Sequence, residues 1–348
     1  MDSFTDSFSS TAARMPGLRD SVAQRPEAYR VLTGERPTGQ LHLGHYVGSI
    51  RERVRLQDAG VETFIILADY QVITDRDTTG AIRENVYAAV LDYLAAGIDP
   101  HRSTIFVHSA IPELHQIFLP FLSLVTEAEL HRNPTVKAEL LASGRALSGL
   151  LLTYPVHQAA DILFCKAGLV PVGKDNLPHV EMTRTIARRF NDRYGDVFPV
   201  PEAMVTDAPE LPGLDGRKMS KSYGNTIPLA LSADETALRI RKARTDSERT
   251  ITYDPEGRPG VSALLETAAV CLDRSPQDLA EELGDQGSGS LKKVTTDAVN
   301  DFLHEHRERR ATLTEADAAD ALQAGNRAAR EIAVQTLDEV RTAMGTMY

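Results

Sequence analysis

Apolar positions recur along this chain in two rhythms. In the first half, short runs dense in β-branched and aromatic residues read as strands: YRVLT at 29–33, VETFIILAD at 61–69, STIFVHS at 103–109 and LVPVG at 169–173. Between them lie stretches with helical spacing. Leu41 leads through Ile50, Val54 and Leu56; AIRENVYAAVLDYLAAG at 81–97 stops at a glycine; a third runs from Leu177 to Phe190. This alternation predicts an α/β fold, a parallel sheet flanked by helices with ligands bound beyond the carboxyl ends of the strands. The turns Gly34 to His45, Asp69 to Thr74 and Gly173 to Asn176 all follow strand ends, so they should meet at one crevice.

Beyond Asn225 the pattern becomes mostly helical. Ser232 with Glu235 makes a capping box that starts a helix through Ile240. Helical patterns recur at 261–272, 276–284, 290–309 and 315–343, with breaker-rich DPEGRPG and GDQGSG among them. In the last, Ala333, Leu337, Val340 and Met344 form an apolar stripe that must dock on something. Residues 1–25, rich in Ser, Thr, Asp and Arg, are predicted to be a disordered tail.

A chain of 348 residues, 42% hydrophobic and 25% charged, has room for about two domains with a sizeable core. It contains no apolar run long enough for a bilayer and no secretory leader is expected, which points to the cytoplasm. Cys165 and Cys271 stand too far apart for a zinc knuckle and lie in apolar surroundings, so buried free thiols are expected and no protein-bound metal. The net charge of −11 argues against a general nucleic-acid coat protein, whose affinity comes from neutralising phosphates. Local basic faces remain: Arg184, Arg188, Arg189 and Arg193; Arg239, Arg241, Lys242 and Arg244; Lys292, Lys293, Arg307, Arg309 and Arg310. Each reads equally well as an ordinary solvated helix face.

Three stretches carry candidate chemistry. TGERPTGQLHLGHYVG at 33–48 is a strand end, a turn broken by Gly34, Pro37 and Gly39, and a helix start. The free N–H groups of a helix start attract anions, and His42 and His45, spaced i, i+3, share a face from which imidazoles can hydrogen-bond a phosphate. Gly44 between them leaves room for a flat ring or sugar. In LDGRKMSKSYGN at 214–225, Lys218 and Lys221 sit on a glycine-punctuated loop, two mobile cations able to close over phosphates as charge grows. Taken singly, the first could be any glycine-rich turn and the second a solvated basic loop. In TYPVHQAADILFCKAG at 153–168, Pro155 suits the first position of a helix, which puts Tyr154, Gln158 and Asp161 on one face at i, i+4, i+7. A carboxylate entering such a crevice needs a donor, and an indole N–H or a phenol O–H fits. An arginine partner or a capping role would also account for Asp161.

HLGH and KMSKS in this order resemble the two signatures of the class I aminoacyl-tRNA synthetases. From about residue 30 to Gly345, through TGERPTGQLHLGHYVGSI, YPVHQAADILFCKAGLVPVGKDNLPHVEMTR, KMSKS and GNRAAREIA, the chain is similar to the bacterial tryptophanyl enzymes of that family. The resemblance implies a Rossmann-like parallel-sheet catalytic domain over 26–215, the KMSKS loop and an all-helical anticodon-binding domain over 216–317, and a C-terminal helix over 318–348 packing back on the catalytic domain. It implies activation of L-tryptophan by ATP with Mg2+ on the nucleotide phosphates, transfer to tRNA(Trp), and a homodimer. Catalytic roles fall on His42, His45, Lys218, Lys221 and Lys137. ATP is expected against Arg36, Pro37, Thr38, Gly44, His45, Gly173, Lys174, Asp175, Lys218, Met219, Ser220, Lys221 and Ser222. The amino acid is expected against Asp161, Tyr154, Gln158, Gln71 and Val172, with Asp161 accepting the indole N–H.

Three features depart from the family pattern. Many bacterial members carry Thr and Asn where this chain has His42 and His45, which give the general class I form. Position 71 is often His and position 158 often Met in that family, and both are Gln here. Tyr154, Gln158 and Asp161 also reproduce the spacing of tyrosine-specific relatives, which makes tyrosine the rival substrate. A third possibility is a paralogue without aminoacylation that binds RNA or protein, although intact HLGH and KMSKS speak against it. The chain contains no tryptophan, so its own synthesis does not draw on that amino acid.

Overall fold

The computed structural model describes residues 8–74, 80–143, 146–173, 176–205 and 210–348. Its centre is a sheet of five parallel strands: β1 (Arg30–Glu35), β2 (Glu62–Leu67), β3 (Ser103–Val107), β4 (Leu169–Val172) and β5 (Glu202–Val205). The strand order is β3-β2-β1-β4-β5. Leu32 is opposite Phe64, Phe64 opposite Thr104, Val31 opposite Leu169, and Leu169 opposite Glu202. Construction runs outward from β1 to β2 and β3, then restarts on the other side of β1 with β4. The adjacent strands β1 and β4 therefore send their following connections apart, and a crevice opens at their carboxyl ends.

Both faces of the sheet are covered. Val31, Phe64, Ile66 and Phe106 pack with Phe164, Phe190 and the C-terminal helix Glu315–Met344. On the other face Ile65, Leu67 and Ile105 join Leu41, Leu43 and Tyr93 in a cluster that continues into Leu264, Leu291 and Val299 of the helices beyond residue 250. Strand β2 divides its side chains between the two faces residue by residue, so a continuous apolar run was its sequence signature.

Several expectations change. Residues 8–24, expected as part of a disordered tail, form the helix Phe8–Gln24 that packs on β5. Thr11, Met15 and Val22 are buried and Leu18 partly so, at i, i+4, i+11 and i+7, a helical stripe diluted among polar residues. Strand β5 itself was not predicted, since EAMV has a single β-branched residue. Pro155 is not at a helix start. The helix runs Gly149–Phe164, capped by Ser148, whose Oγ accepts from Leu151 N at 3.0 Å, and Pro155 lies inside it. The stretch 290–309 is two helices, Gly287–Phe302 and His304–Thr312, interrupted at the buried Leu303. Helices Pro112–Leu122, Glu127–Arg132 and Pro134–Ser143 were not foreseen. The Ser232–Glu235 capping box is present, and Gly97 caps the helix Ile82–Ala96 with a left-handed φ of 104°.

The C-terminal helix covers the open edge of the sheet. Asn326 Oδ1 accepts from Val107 N at 3.1 Å, satisfying an edge donor of β3 that would otherwise invite another strand. One turn of the helix comes so close that a Cβ on Gly325 would lie 1.9 Å from Ile105 O. Alanine in a helix interior ordinarily stabilises by about 1 kcal/mol over glycine. Gly325→Ala is expected to do the reverse, destabilising by about 1–3 kcal/mol or more through overpacking. A thermal melt reads the sign, and an unchanged or raised Tm would contradict the close approach.

Candidate active site

At the carboxyl ends of β1 and β4 lies a cavity of about 390 Å³. Gly34, Glu35 and Arg36 reach it from β1, Val172 and Gly173 from β4, and Gln71 from the turn after β2. Tyr154, Gln158 and Asp161 enter from the helix Gly149–Phe164, while Thr135 and Glu139 of the helix Pro134–Ser143 close its mouth. All five residues expected around the amino acid therefore line one cavity. Gln71, Tyr154, Asp161 and Val172 are buried and Gln158 is half-buried.

The two signature stretches meet beside it. His42 is the N-cap of a short helical turn, Leu43–His45, that runs through a π-helical turn, Tyr46–Ile50, into the helix Arg51–Asp58. His45 Nδ1 accepts from His42 N at 3.2 Å, and the two rings lie 3.8 Å apart. Burial, then the neighbouring His45 and Lys221, bring the His42 pKa down to about 3; burial brings His45 to about 4 against the pull of Glu35. Both imidazoles are therefore neutral at pH 7 and act as hydrogen-bonding groups. Nδ1 of His42 is buried with no hydrogen-bond partner among the described residues.

Backbone bonds fasten the loop to this turn: Leu43 N donates to Ile227 O at 2.9 Å and Leu229 N to Leu41 O at 3.0 Å. Lys221 Nζ donates to Gly39 O at 2.8 Å. Met219 is buried so close to the turn that a Cβ on Gly44 would lie 3.2 Å from its Sδ. Lys218 is exposed beside it and Ser220 half-buried. Asn225, a residue given no role from the sequence, fixes the loop's shape: its Oδ1 accepts from Ser220 N at 2.9 Å, and its Nδ2 donates to Asp215 Oδ1 at 2.7 Å and to Lys218 O at 3.1 Å. Lys174, Asp175 and the side chain of Ser222 lie outside the described residues. Pro37 and Thr38 shape the turn between β1 and His42, with Thr38 N donating to Arg36 O at 2.8 Å. Lys137 is not brought to the site. It is exposed on the helix whose Thr135 and Glu139 face the cavity, because a helical residue two positions from each points away from both.

Asp161 is 3% exposed, and His108 Nε2 lies 2.6 Å from its Oδ1. Neither an arginine partner nor a capping role applies among the described residues. Two further imidazoles complete the surroundings: His157, its ring 4.6 Å from that of His108, and His115, whose Nδ1 is 3.1 Å from His157 Nε2. His108, His157 and Asp161 each offer a ligand atom within 4.8 Å of the others. The sequence carried two signals for them. His157 precedes Asp161 by one helical turn, and His108 follows the end of β3, where ligands of such sheets gather. Tyr154 Oη lies 3.2 Å from Nε2 of the buried His179, which also lines the cavity.

The wall behind the turn is a buried ion pair also missed from the sequence. Both Arg53 Nη atoms donate to the Glu35 carboxylate at 3.2 Å, Arg53 Nε donates to Thr33 Oγ1 at 3.2 Å, and Tyr93 Oη bonds Glu35. Burial alone would raise the Glu35 carboxyl, but the Arg53 guanidinium outweighs it and holds the pKa down to about 2. The signal was an arginine on the apolar face between Ile50 and Leu56, three residues from each. At the mouth Arg36 bonds Glu139 at 3.0 Å and Thr74 Oγ1 at 3.3 Å. Several basic residues noted from the sequence serve the fold: Arg189 pairs with Glu129, Arg310 with Asp92, and Arg307 donates to Leu231 O and Thr236 Oγ1.

Comparison with known proteins identifies the family. The family model for tRNA synthetases class I (W and Y) matches residues 24–304. The tryptophan–tRNA ligase of Lactococcus lactis is 42% identical over 337 residues, covering 91% of this chain and 98% of its own. That of Thermotoga maritima is 39% identical over 335 residues, covering 92% and 100%. The crystal structure of tryptophanyl-tRNA synthetase from Campylobacter jejuni, complexed with ADP and tryptophan, superposes with a TM-score of 0.79 at 32% identity, covering 91% of this chain and 99% of that one. This chain belongs to the class I tRNA synthetases of the tryptophan and tyrosine group.

Proposed function

We propose that this chain is a tryptophan–tRNA ligase. The observation that carries the reading is the adjacency of three features: neutral His42 and His45 on one turn, Lys221 bonded across to Gly39, and the buried Asp161 in the adjoining cavity. The names of the relatives favour tryptophan.

In this reading the tryptophan carboxylate attacks the α-phosphate of ATP in line, pyrophosphate leaves, and the adenylate passes to the terminal ribose of tRNA(Trp). No covalent nucleophile on the protein is needed, because positioning and charge stabilisation supply most of the acceleration. His42 and His45 hydrogen-bond the α-phosphate region. Lys218 and Lys221 stabilise the departing pyrophosphate, whose charge grows in the transition state. Arg36, Pro37, Thr38, Gly44, Gly173, Lys174, Asp175, Met219, Ser220 and Ser222 surround the nucleotide. Mg2+ carried by the nucleotide would supply charge withdrawal from the phosphates, and no side chain is assigned to it. Asp161 accepts the indole N–H, with Tyr154, Gln158, Gln71 and Val172 around the ring. His108 acts through Asp161 as a positioning residue, its Nε2–H holding Oδ1 and leaving Oδ2 for substrate.

The helices of 216–317 read the anticodon and the enzyme works as a cytoplasmic homodimer. Among the described residues no helix is long and apolar enough to cross a membrane.

Tyrosine is the competing substrate because Tyr154, Gln158 and Asp161 share one helix and one cavity. Amino-acid-dependent pyrophosphate exchange separates the readings. A site built on a buried polar partner rejects analogues that lack it by about 10⁴–10⁵, a magnitude established for a tyrosine-specific relative. Phenylalanine, which offers Asp161 no donor, should be rejected to that extent; exchange is expected with tryptophan and, as the relatives' names favour, to be negligible with tyrosine. Exchange with tyrosine alone would reject the proposal, and none with any amino acid would favour a non-catalytic paralogue.

A further inference from the structure

We propose that His108, His157 and Asp161 form a binding site for a divalent transition metal of the zinc class. The Asp161 carboxylate is almost wholly buried, and among the described residues its partner is one imidazole, that of His108. A carboxylate buried this deeply is costly unless it is closely partnered. An imidazole binds a metal through a ring nitrogen that carries no proton.

Each of the two imidazoles has a ring nitrogen without a partner among the described residues. His108 and His157 are 0% and 5% exposed, and Nδ1 of each is buried with no hydrogen-bond partner among the described residues. The other nitrogen of His157 is occupied by His115 at 3.1 Å, the outer contact that ligating histidines usually make. Two imidazoles and a carboxylate with a fourth position toward a cavity are the donor set of open zinc sites. Bonds of about 2.0–2.1 Å in tetrahedral geometry hold ligand atoms about 3.3 Å apart. The three ligand atoms already lie within 4.8 Å of one another. The His108–Asp161 contact, 2.6 Å while it holds a proton, opens when that proton moves to Nδ1 and Nε2 turns its lone pair to the metal. The spacing of the cysteines did not announce this site, and the i, i+4 pair His157 and Asp161 becomes a ligand set only with His108 brought in from the end of β3.

A metal here occupies the carboxylate assigned above to the indole N–H. Metal and tryptophan should therefore compete, and this consequence, unlike the site itself, rests on that reading. The test is titration of the full-length, chelator-treated chain with Co2+, whose visible absorption reports four-coordination. One Co2+ per chain is expected. His115→Ala should weaken binding about 10- to 100-fold, and His157→Ala should weaken it further. His157→Leu, which refills the space with an apolar side chain, should lose it too while melting as a folded protein. His131→Ala, at an exposed histidine paired with Glu127, should bind Co2+ like the unaltered chain. No Co2+ spectrum, or one unchanged in both His157 variants, overturns the proposal. Displacement of Co2+ by tryptophan supports it. A spectrum lost in the His157 variants but indifferent to saturating tryptophan upholds the metal site and removes Asp161 from the indole.

Discussion

Alanine at position 161 is expected to raise the tryptophan KM about 10- to 150-fold and leave the ATP KM nearly unchanged. The figure follows from about 1.5–3 kcal/mol for a hydrogen bond to a charged group, at about 1.4 kcal/mol per tenfold. The two effects separate because Asp161 lies within the helix Gly149–Phe164 and bonds His108, whereas the residues proposed to hold the phosphates belong to the Leu43–His45 turn and the loop bonded to it. Steady-state pyrophosphate exchange with each substrate varied in turn measures both constants. Removing the carboxylate also strands the donor of His108 in a fully buried position, at a cost of about 1–3 kcal/mol in stability. A melting curve should accompany the kinetics. Equal increases in both KM values would undo the assignment.

The second large effect is expected at Lys221. Its ammonium donates to Gly39 O, which ties the KMSKS loop to the turn before His42. If it stabilises charge that develops on the leaving pyrophosphate, Lys221→Ala lowers the rate of adenylate formation about 10²–10³-fold, the usual cost of removing one such donor. The tryptophan KM should hardly move, because an interaction made only in the transition state is lost from kcat and kcat/KM together. Lys221→Arg keeps the charge and should recover part of the rate. A raised ATP KM with kcat intact would make Lys221 a ground-state contact instead.

Much of this site was legible because its parts are local in sequence. A turn that ends a strand and begins a helix must present N–H groups, and the glycines, proline and histidines of 34–45 describe it without tertiary information. What went unread depended on partners far along the chain. Lys137 carried the right charge, yet the phase of a helix that no local pattern revealed turns it to solvent. The helix Phe8–Gln24 passed for a polar tail because its buried residues are spread among serines and arginines, and their worth appears only once β5 is there to receive them. Arg53 drew no reading from the sequence, because its partner Glu35 stands eighteen residues earlier and only the fold sets the two against each other.

By itself the sequence determined the alternation of elements, the parallel sheet it requires, and the chemical character of the two phosphate-facing stretches, since hydrophobic period and turn chemistry are properties of neighbouring residues. Only the tertiary structure decided that the two stretches touch, that a carboxylate and two imidazoles are packed together away from water, and that the last helix closes the sheet's edge. Those outcomes depend on distances between residues tens to hundreds of positions apart, which burial and close packing settle and local pattern does not record.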